Sequence, residues 1–281
     1  MSLSPRARRA LKARLDLLLA QHDVARHRAN DPVSFVHRYE SADDREVAGL
    51  VASSLAFGNV VAIRASVARA LEALGPSPAL TVERERERAL ARRLDGFVHR
   101  VYRGAHLAAM LARAGRIRRR EGSIGAALAK RLERAELREA LADLADELRG
   151  DDPPRGLAHL VPDPRAGSAC KRLLLYVRWM SRPADGVDLG LWPIPPSRLI
   201  IPVDTHVHRI ARNLGLTARK DASWRTAEEI TASLRALDPA DPVKYDFALC
   251  HFGVSRQCPS RRDESKCATC VLRPVCTHWR A

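Results

Sequence analysis

Four cysteines near the end of the chain stand at metal-ligand spacing: Cys258, Cys267, Cys270 and Cys276, in the order Cys-x8-Cys-x2-Cys-x5-Cys. Cys267 and Cys270 can reach one centre from a single turn, and Cys258 and Cys276 close the cage from either side. Four thiolates hold either a [4Fe-4S] cluster or a structural zinc, and the residue types alone do not choose between them. Reduced thiols without metal are the remaining reading, which four at this spacing argue against. A disulfide framework would spread through a small secreted chain, whereas the first 169 residues here contain no cysteine. Cys170 and Cys250 have apolar neighbours and read as packing residues.

A second candidate is an amine. The chain has only six lysines among 48 basic residues, and arginine stays protonated and cannot act as an amine nucleophile. Lys171 follows Gly167-Ser168-Ala169-Cys170, where a loop enters a helix. The positive end of a helix is a natural phosphate site, and it is expected to lower the pKa of Lys171, as an amine nucleophile requires. Asp204 stands just before the next recognisable helix, where it also suits an N-cap. A lysine in a first turn is ordinarily solvated and an aspartate there ordinarily caps. The combination with the cysteine cage is what points to chemistry.

The elements that must position these groups read as helices. Leu11, Leu15, Leu18 and Leu19 repeat at helical spacing after Pro5. Asp43 is a candidate cap for a helix carrying Val47, Leu50, Val51 and Leu55. Further helices are expected over Val61–Leu74, around Ala105–Leu111, and as one long amphipathic element near Ile124–Leu148. The alternating charges of residues 83–93 read as a solvated helix face. A strongly apolar helix follows Lys171. The proline-rich stretch 183–199 reads as a linker or insertion. A helix follows Asp204 to Leu214 with Gly215 as its C-cap, a capping box stands at Thr226–Glu229, and Asp241-Pro242 opens a helix ended by Gly253. No strand and no repeat is evident, so the class is all-α.

The chain has 281 residues, long enough for two domains. Its net charge of +15 asks for a polyanion, although the arginine bias can also reflect genome composition. Hydrophobic residues at 46% and charged residues at 29% exclude a disordered chain. No apolar run suits a membrane span, and no signal core follows the start, so a cytoplasmic protein is expected. Arg256, Arg261, Arg262, Lys266, Arg273 and Arg280 surround the cysteine cage, either as a phosphate-contacting surface or as a basic solvent face.

Val203-Asp204-Thr205-His206-Val207-x-Arg209, about fifty residues ahead of the four cysteines, resembles the endonuclease III branch of the helix-hairpin-helix DNA glycosylases. The stretches Lys171–Met180, Asp188–Trp192 and Pro202–His206 look closer still to a bacterial family of unassigned function within that superfamily. The resemblance implies two helical domains with a DNA-binding cleft between them. These would be residues 35–182, ending in a helix-hairpin-helix, and residues 1–34 with 200–281, bearing a [4Fe-4S] cluster or, alternatively, structural zinc on Cys258, Cys267, Cys270 and Cys276. It implies Lys171 as the Schiff-base lysine and Asp204 as the essential carboxylate of a base-excision glycosylase with AP-lyase activity. Its partner would be duplex DNA with a flipped, oxidised base, bound by a monomer at the nucleoid.

Phe57 and Asn59 occupy the place of a gap-filling loop, where Phe57 is either a wedge or a buried aromatic. Gly167, Ser168, Arg172, His206, Arg261 and Arg262 are the remaining candidates for DNA contact. His206, His208, Trp179 and Trp192 are candidates for reading the base, each with a structural role as the alternative. Three departures stand out. The hairpin has Ala169 where the family has a second glycine, the stretch between Lys171 and Asp204 is longer, and so is the first cysteine gap. A non-catalytic DNA-binding module and a zinc-stapled RNA binder are the rival functions.

Overall fold

Leucine and alanine at three- and four-residue intervals dictate helices along most of the chain. The computed structural model describes residues 4–256 and 258–279 and is mostly helical. In chain order the helices are α1 (Pro5–Ala20), α2 (Val24–Asn30), α3 (Ala42–Ser54), α4 (Val60–Leu74), α5 (Pro78–Arg84), α6 (Glu87–Arg93), α7 (Gly104–Glu121) and α8 (Ile124–Leu132). They continue with α9 (Leu137–Arg149), α10 (Arg155–Leu160), α11 (Lys171–Ser181), α12 (Thr205–Asn213), α13 (Trp224–Arg235), α14 (Asp246–Arg256) and α15 (Glu264–Cys267). Among the described residues the strands are β1 (Val98–His99) and β2 (Tyr102–Arg103), paired antiparallel. Two residues per strand are too few to show the alternation by which a strand is read from sequence. No helix among the described residues is long and apolar enough to cross a membrane.

Several helix ends differ from expectation. The long element of 124–148 is two helices, with Glu133 closing α8 and Glu136 opening α9. No glycine or proline marks that break, so the apolar periodicity reads straight through it. Helix α3 starts after Ser41 instead of Asp43. Helix α13 is capped by Ser223, whose hydroxyl accepts from the Thr226 amide, one turn before the expected box. Helix α14 begins at Asp246 and not at Pro242.

The chain forms two compact bodies. The first is Met1–Val24, Gly167–Leu174 and Pro196–Ala281, and the second is Ala25–Ala166 and Leu175–Pro195. The chain passes from the first to the second within α11. In the second body the buried Glu46 carboxylate on α3 accepts from Arg118, from the Gly125 amide at 3.0 Å and from Trp192 Nε1 at 2.7 Å. Arg118 on α7 also holds Asp43 at 2.7 Å and Glu83 at 2.8 Å. Residues 183–195, within the 183–199 stretch expected as a linker or insertion, fold back on α11: the Leu189 amide donates to Trp179 O at 2.8 Å. Arg178 donates twice to the buried Asp188, 3.1 Å each. Proline ends the helix there without preventing the following chain from packing.

In the first body α1 buries Leu11, Leu15 and Leu18. Asp16 on its other side accepts from Tyr245 Oη at 2.5 Å and Lys12 Nζ at 2.6 Å. Helices α12 and α14 pack directly on each other. Their separation is set by Gly253, where a Cβ would meet His206 Cβ at 2.8 Å and Ile210 Cδ1 at 3.0 Å.

Candidate functional site

Two helix starts place the candidate reacting groups. Lys171 is the first residue of α11. The loop before it needs a left-handed residue, and Gly167 supplies it with φ +87°. Its carbonyl accepts from the Trp224 amide at 3.1 Å, and Ser168 bridges to Ser223, which ties the loop to the start of α13. Ala169 is not forced into the left-handed region. That role falls on Cys170, at φ +46°, an uncommon conformation for a residue with a side chain. The loop therefore turns without a second glycine.

Asp204 is the N-cap of α12. Its Oδ1 accepts from the His206 amide at 2.9 Å and the Val207 amide at 2.8 Å, leaving Oδ2 for other partners. Lys171 Nζ lies 3.4 Å from that Oδ2. The pair is partly accessible, with side-chain exposures of 33% for Lys171 and 14% for Asp204.

The electrostatics correct one expectation. Burial would depress the Lys171 amine, but Asp204, Cys250 and Asp246 outweigh it, and the pKa is raised above the ordinary lysine value. The helix end was expected to lower it, but acidic groups contributed by α12 and α14 dominate. Burial would likewise raise the Asp204 carboxyl, but the Lys171 ammonium, the Val207 amide, the Cys250 thiol and His206 hold it below the usual carboxylate range. At neutral pH the site is thus an ammonium–carboxylate pair.

Cys250 was read as a packing residue. Its Sγ donates to Asp204 Oδ2 at 3.4 Å. Asp246, at the start of α14, is the other acidic group acting on Lys171. The spacing Asp246-x3-Cys250-x2-Gly253 puts all three on one face of α14, which is the signal that the sequence carried for them.

The four cysteines line one small pocket, together with Asn213, Arg273, His278, Trp279 and several apolar side chains. None of the six cysteines is in a disulfide. Among the described residues no three His, Cys, Asp or Glu side chains close on a single-ion position. Asn213 Nδ2 donates to Cys258 Sγ at 3.5 Å and to Pro259 O at 2.9 Å. His278 Nε2 and Trp279 Nε1 are buried ring nitrogens of lining residues without a hydrogen-bond partner, a condition that native interiors ordinarily avoid. Four thiols and two orphaned ring nitrogens around one pocket fit a sulfur-rich group.

The remaining candidates divide. Arg172 is half-buried in the first turn of α11, beside the exposed Gly167 and Ser168. His206 Nδ1 pairs with Arg209 Nη2 at 3.0 Å, and His208 Nε2 with Arg219 O at 3.1 Å. Arg261 is exposed. Arg262 and Arg273 each lie 4.0 Å from the Trp279 ring centroid, and both hold Glu264. Arg280 and the Arg256 side chain lie outside the described residues.

Phe57 and Asn59 belong to the second body. The half-buried Phe57 ring packs on His159 at 5.3 Å with the Arg100 guanidinium 4.5 Å above it. Asn59 caps α4, accepting from the Val61 amide at 2.9 Å. The exposed apolar side chains beside it are Val60, 46% exposed, and Val61, 72% exposed. Trp179 and Trp192 are core residues of that body.

Residues 31–255 match the model of a family described as "Protein of unknown function (DUF2400)". That range takes in Lys171, Asp204 and Cys250 and stops short of the four clustered cysteines. Over 128 residues the chain is 30% identical to "Endonuclease III homolog 2, chloroplastic" from Arabidopsis thaliana, covering 44% of this chain and only 28% of that protein. No solved structure matches.

Proposed function

The chain belongs to the DUF2400 family, and from the geometry of its site we propose that it is a DNA glycosylase with AP-lyase activity, working through Lys171 and Asp204. One observation carries this reading: a lysine amine at a helix start lies 3.4 Å from a carboxylate whose other oxygen is held by two backbone amides. The partial likeness to an endonuclease III homologue supports a glycosylase-like relationship. The net charge of +15 suits a DNA partner.

The target nucleotide is flipped out of the duplex, since its sugar carbon is out of reach in the stack. Lys171 gives up its proton to solvent through its exposed side and attacks the anomeric carbon. The nitrogen–carbon bond forms and the bond to the base breaks. The departing base keeps the electron pair and takes a proton from water. Asp204 stays ionised and stabilises the positive charge that develops on the sugar. The new nitrogen gives up its proton to water, the ring carbon–oxygen bond breaks with its oxygen taking up a proton, and the resulting imine loses a C2′ proton to water as the 3′ phosphate leaves, which cleaves the strand. The amides around Gly167 and the adjacent Arg172 hold phosphate. The protein acts as a monomer on an oxidised base in cytoplasmic, nucleoid-associated DNA.

Cys258, Cys267, Cys270 and Cys276 would hold a [4Fe-4S] cluster. Structural zinc on the same four thiolates is the alternative. When bound, the cluster supplies a rigid cross-link of the 258–276 loop and no step of base removal.

Borohydride trapping tests the reading. Purified protein mixed with DNA carrying oxidised bases is expected to give a covalent adduct that Lys171→Ala abolishes. Base release without an adduct would leave a monofunctional enzyme. The protonated resting state of Lys171 favours a second reading, a non-catalytic DNA-binding module. Binding to damaged duplex without base release from any lesion would establish that instead.

A further inference from the structure

We propose that Cys250 is a positioning residue of the Lys171–Asp204 site, holding Asp204 Oδ2 in place and ionised once the amine has lost its charge. The inference rests on the glycosylase reading for its purpose and on geometry for its content. The two oxygens of Asp204 have separate partners. Oδ1 is taken by the His206 and Val207 amides of its own helix. Oδ2 has Lys171 Nζ at 3.4 Å from α11 and Cys250 Sγ at 3.4 Å from α14.

While Lys171 is an ammonium, the carboxylate has a cation beside it. The reaction removes that cation, because only the neutral amine attacks. A largely buried carboxylate that loses its counter-charge tends to protonate, and a protonated Asp204 cannot stabilise a cationic sugar. A thiol donor on the same oxygen opposes this, since a hydrogen bond to the charged form favours that form. Its donor also fixes the plane of the carboxyl group, which the helix cap holds only at Oδ1.

The packing keeps the thiol there. Gly253 lies one turn beyond Cys250, and its missing Cβ lets α14 approach His206, the second residue after Asp204. The groups that face this carboxylate are Lys171, Cys250 and His206, and Asp246 acts on Lys171 from the start of α14. Of these, Cys250 is the donor that α14 keeps on Oδ2 when Lys171 has been neutralised.

The test needs no catalysis. Full-length protein is labelled with 13C at the aspartate carboxyl carbons, and the Asp204 signal is assigned by its loss in Asp204→Asn. In a Lys171→Met background, which mimics the uncharged amine, Cys250→Val is expected to raise the Asp204 titration midpoint by about one pH unit. Cys250→Ser, which keeps a donor, is expected to restore it. Valine fills the space of the thiol, and Cys250→Ala is read in the same way if valine disturbs folding. An unchanged midpoint in both donor-less variants overturns the proposal.

A second arm uses single-turnover trapping with Lys171 intact. There Cys250→Val is expected to slow adduct formation about tenfold without weakening DNA binding, and Cys250→Ser to recover the rate. Absence of an adduct with the wild-type protein would remove the glycosylase reading, while the titration would still decide the role of Cys250.

Discussion

Asp204 has two duties that separate by oxygen atom, and substitutions can separate them too. Asparagine keeps an acceptor for the His206 and Val207 amides but removes the counter-charge of Lys171, so Asp204→Asn is expected to keep the helix cap, lose the ion-pair contribution to stability and abolish adduct formation. Alanine loses the cap as well, and Asp204→Ala is expected to cost about 1 kcal/mol in urea unfolding. The pair also sets a pH signature. Asp204 is depressed, so its contribution is present above the unfolded carboxylate range and fades as pH falls through the folded value. Lys171 is raised, so its contribution is complete below the unfolded amine range and fades as pH rises through the folded value. The destabilisation by Lys171→Met is therefore expected to be flat across neutral pH and to shrink at either extreme. Adduct formation should behave differently and climb with pH through the mildly alkaline range, because it needs the neutral amine. A pH-rate profile that falls there would count against the amine.

Helix contacts carry the site, and they fail in predictable ways. A Cβ at Gly253 would meet His206 Cβ at 2.8 Å, so Gly253→Ala must push α14 away from α12. Overpacking of this kind costs about 1–3 kcal/mol, and the Cys250–Asp204 contact is expected to lengthen, visible as an altered Asp204 titration in the folded protein. In the second body, Arg118→Ala would leave the Glu46 carboxylate buried without its cation. The loss is expected to be about 3–5 kcal/mol in denaturant unfolding, with little effect on the Asp204 titration. Residues read from sequence as helix starts were legible where the signal lies within one turn, as at Lys171 and Asp204. The break between α8 and α9 was not, because Glu133 and Glu136 differ little from ordinary helix residues.

For the molecule as a whole, the expectations concern charge and metal. With 48 basic against 33 acidic residues, duplex binding is expected to weaken steeply between low and physiological salt. Protein purified without oxygen is expected to be brown and to carry iron and sulfide. Cys276→Ser should lose both and lower the melting temperature. Zinc in their place would assign the cage to a structural ion. The two bodies are each assembled from separate stretches of chain, so the membership of 167–174 with the C-terminal residues was not visible in composition or turn signals. The proline-rich 183–195 stretch looks like a linker in composition, yet Trp192 and Asp188 bury their polar groups against Glu46 and Arg178.

The amino-acid sequence by itself determined what depends on near neighbours: the helices, the cap at Asp204, the lysine at the mouth of α11, and four cysteines at ligand spacing. These follow from backbone hydrogen bonding and periodicity within a turn or two. Tertiary structure alone decided the rest. It brought the Lys171 amine to Asp204, turned a cysteine read as packing into a donor on that carboxylate, and added Asp246 to the field at the amine. The direction of the Lys171 pKa was decided there as well. Charge interactions depend on distance through space, and the groups that set that distance come from three different helices.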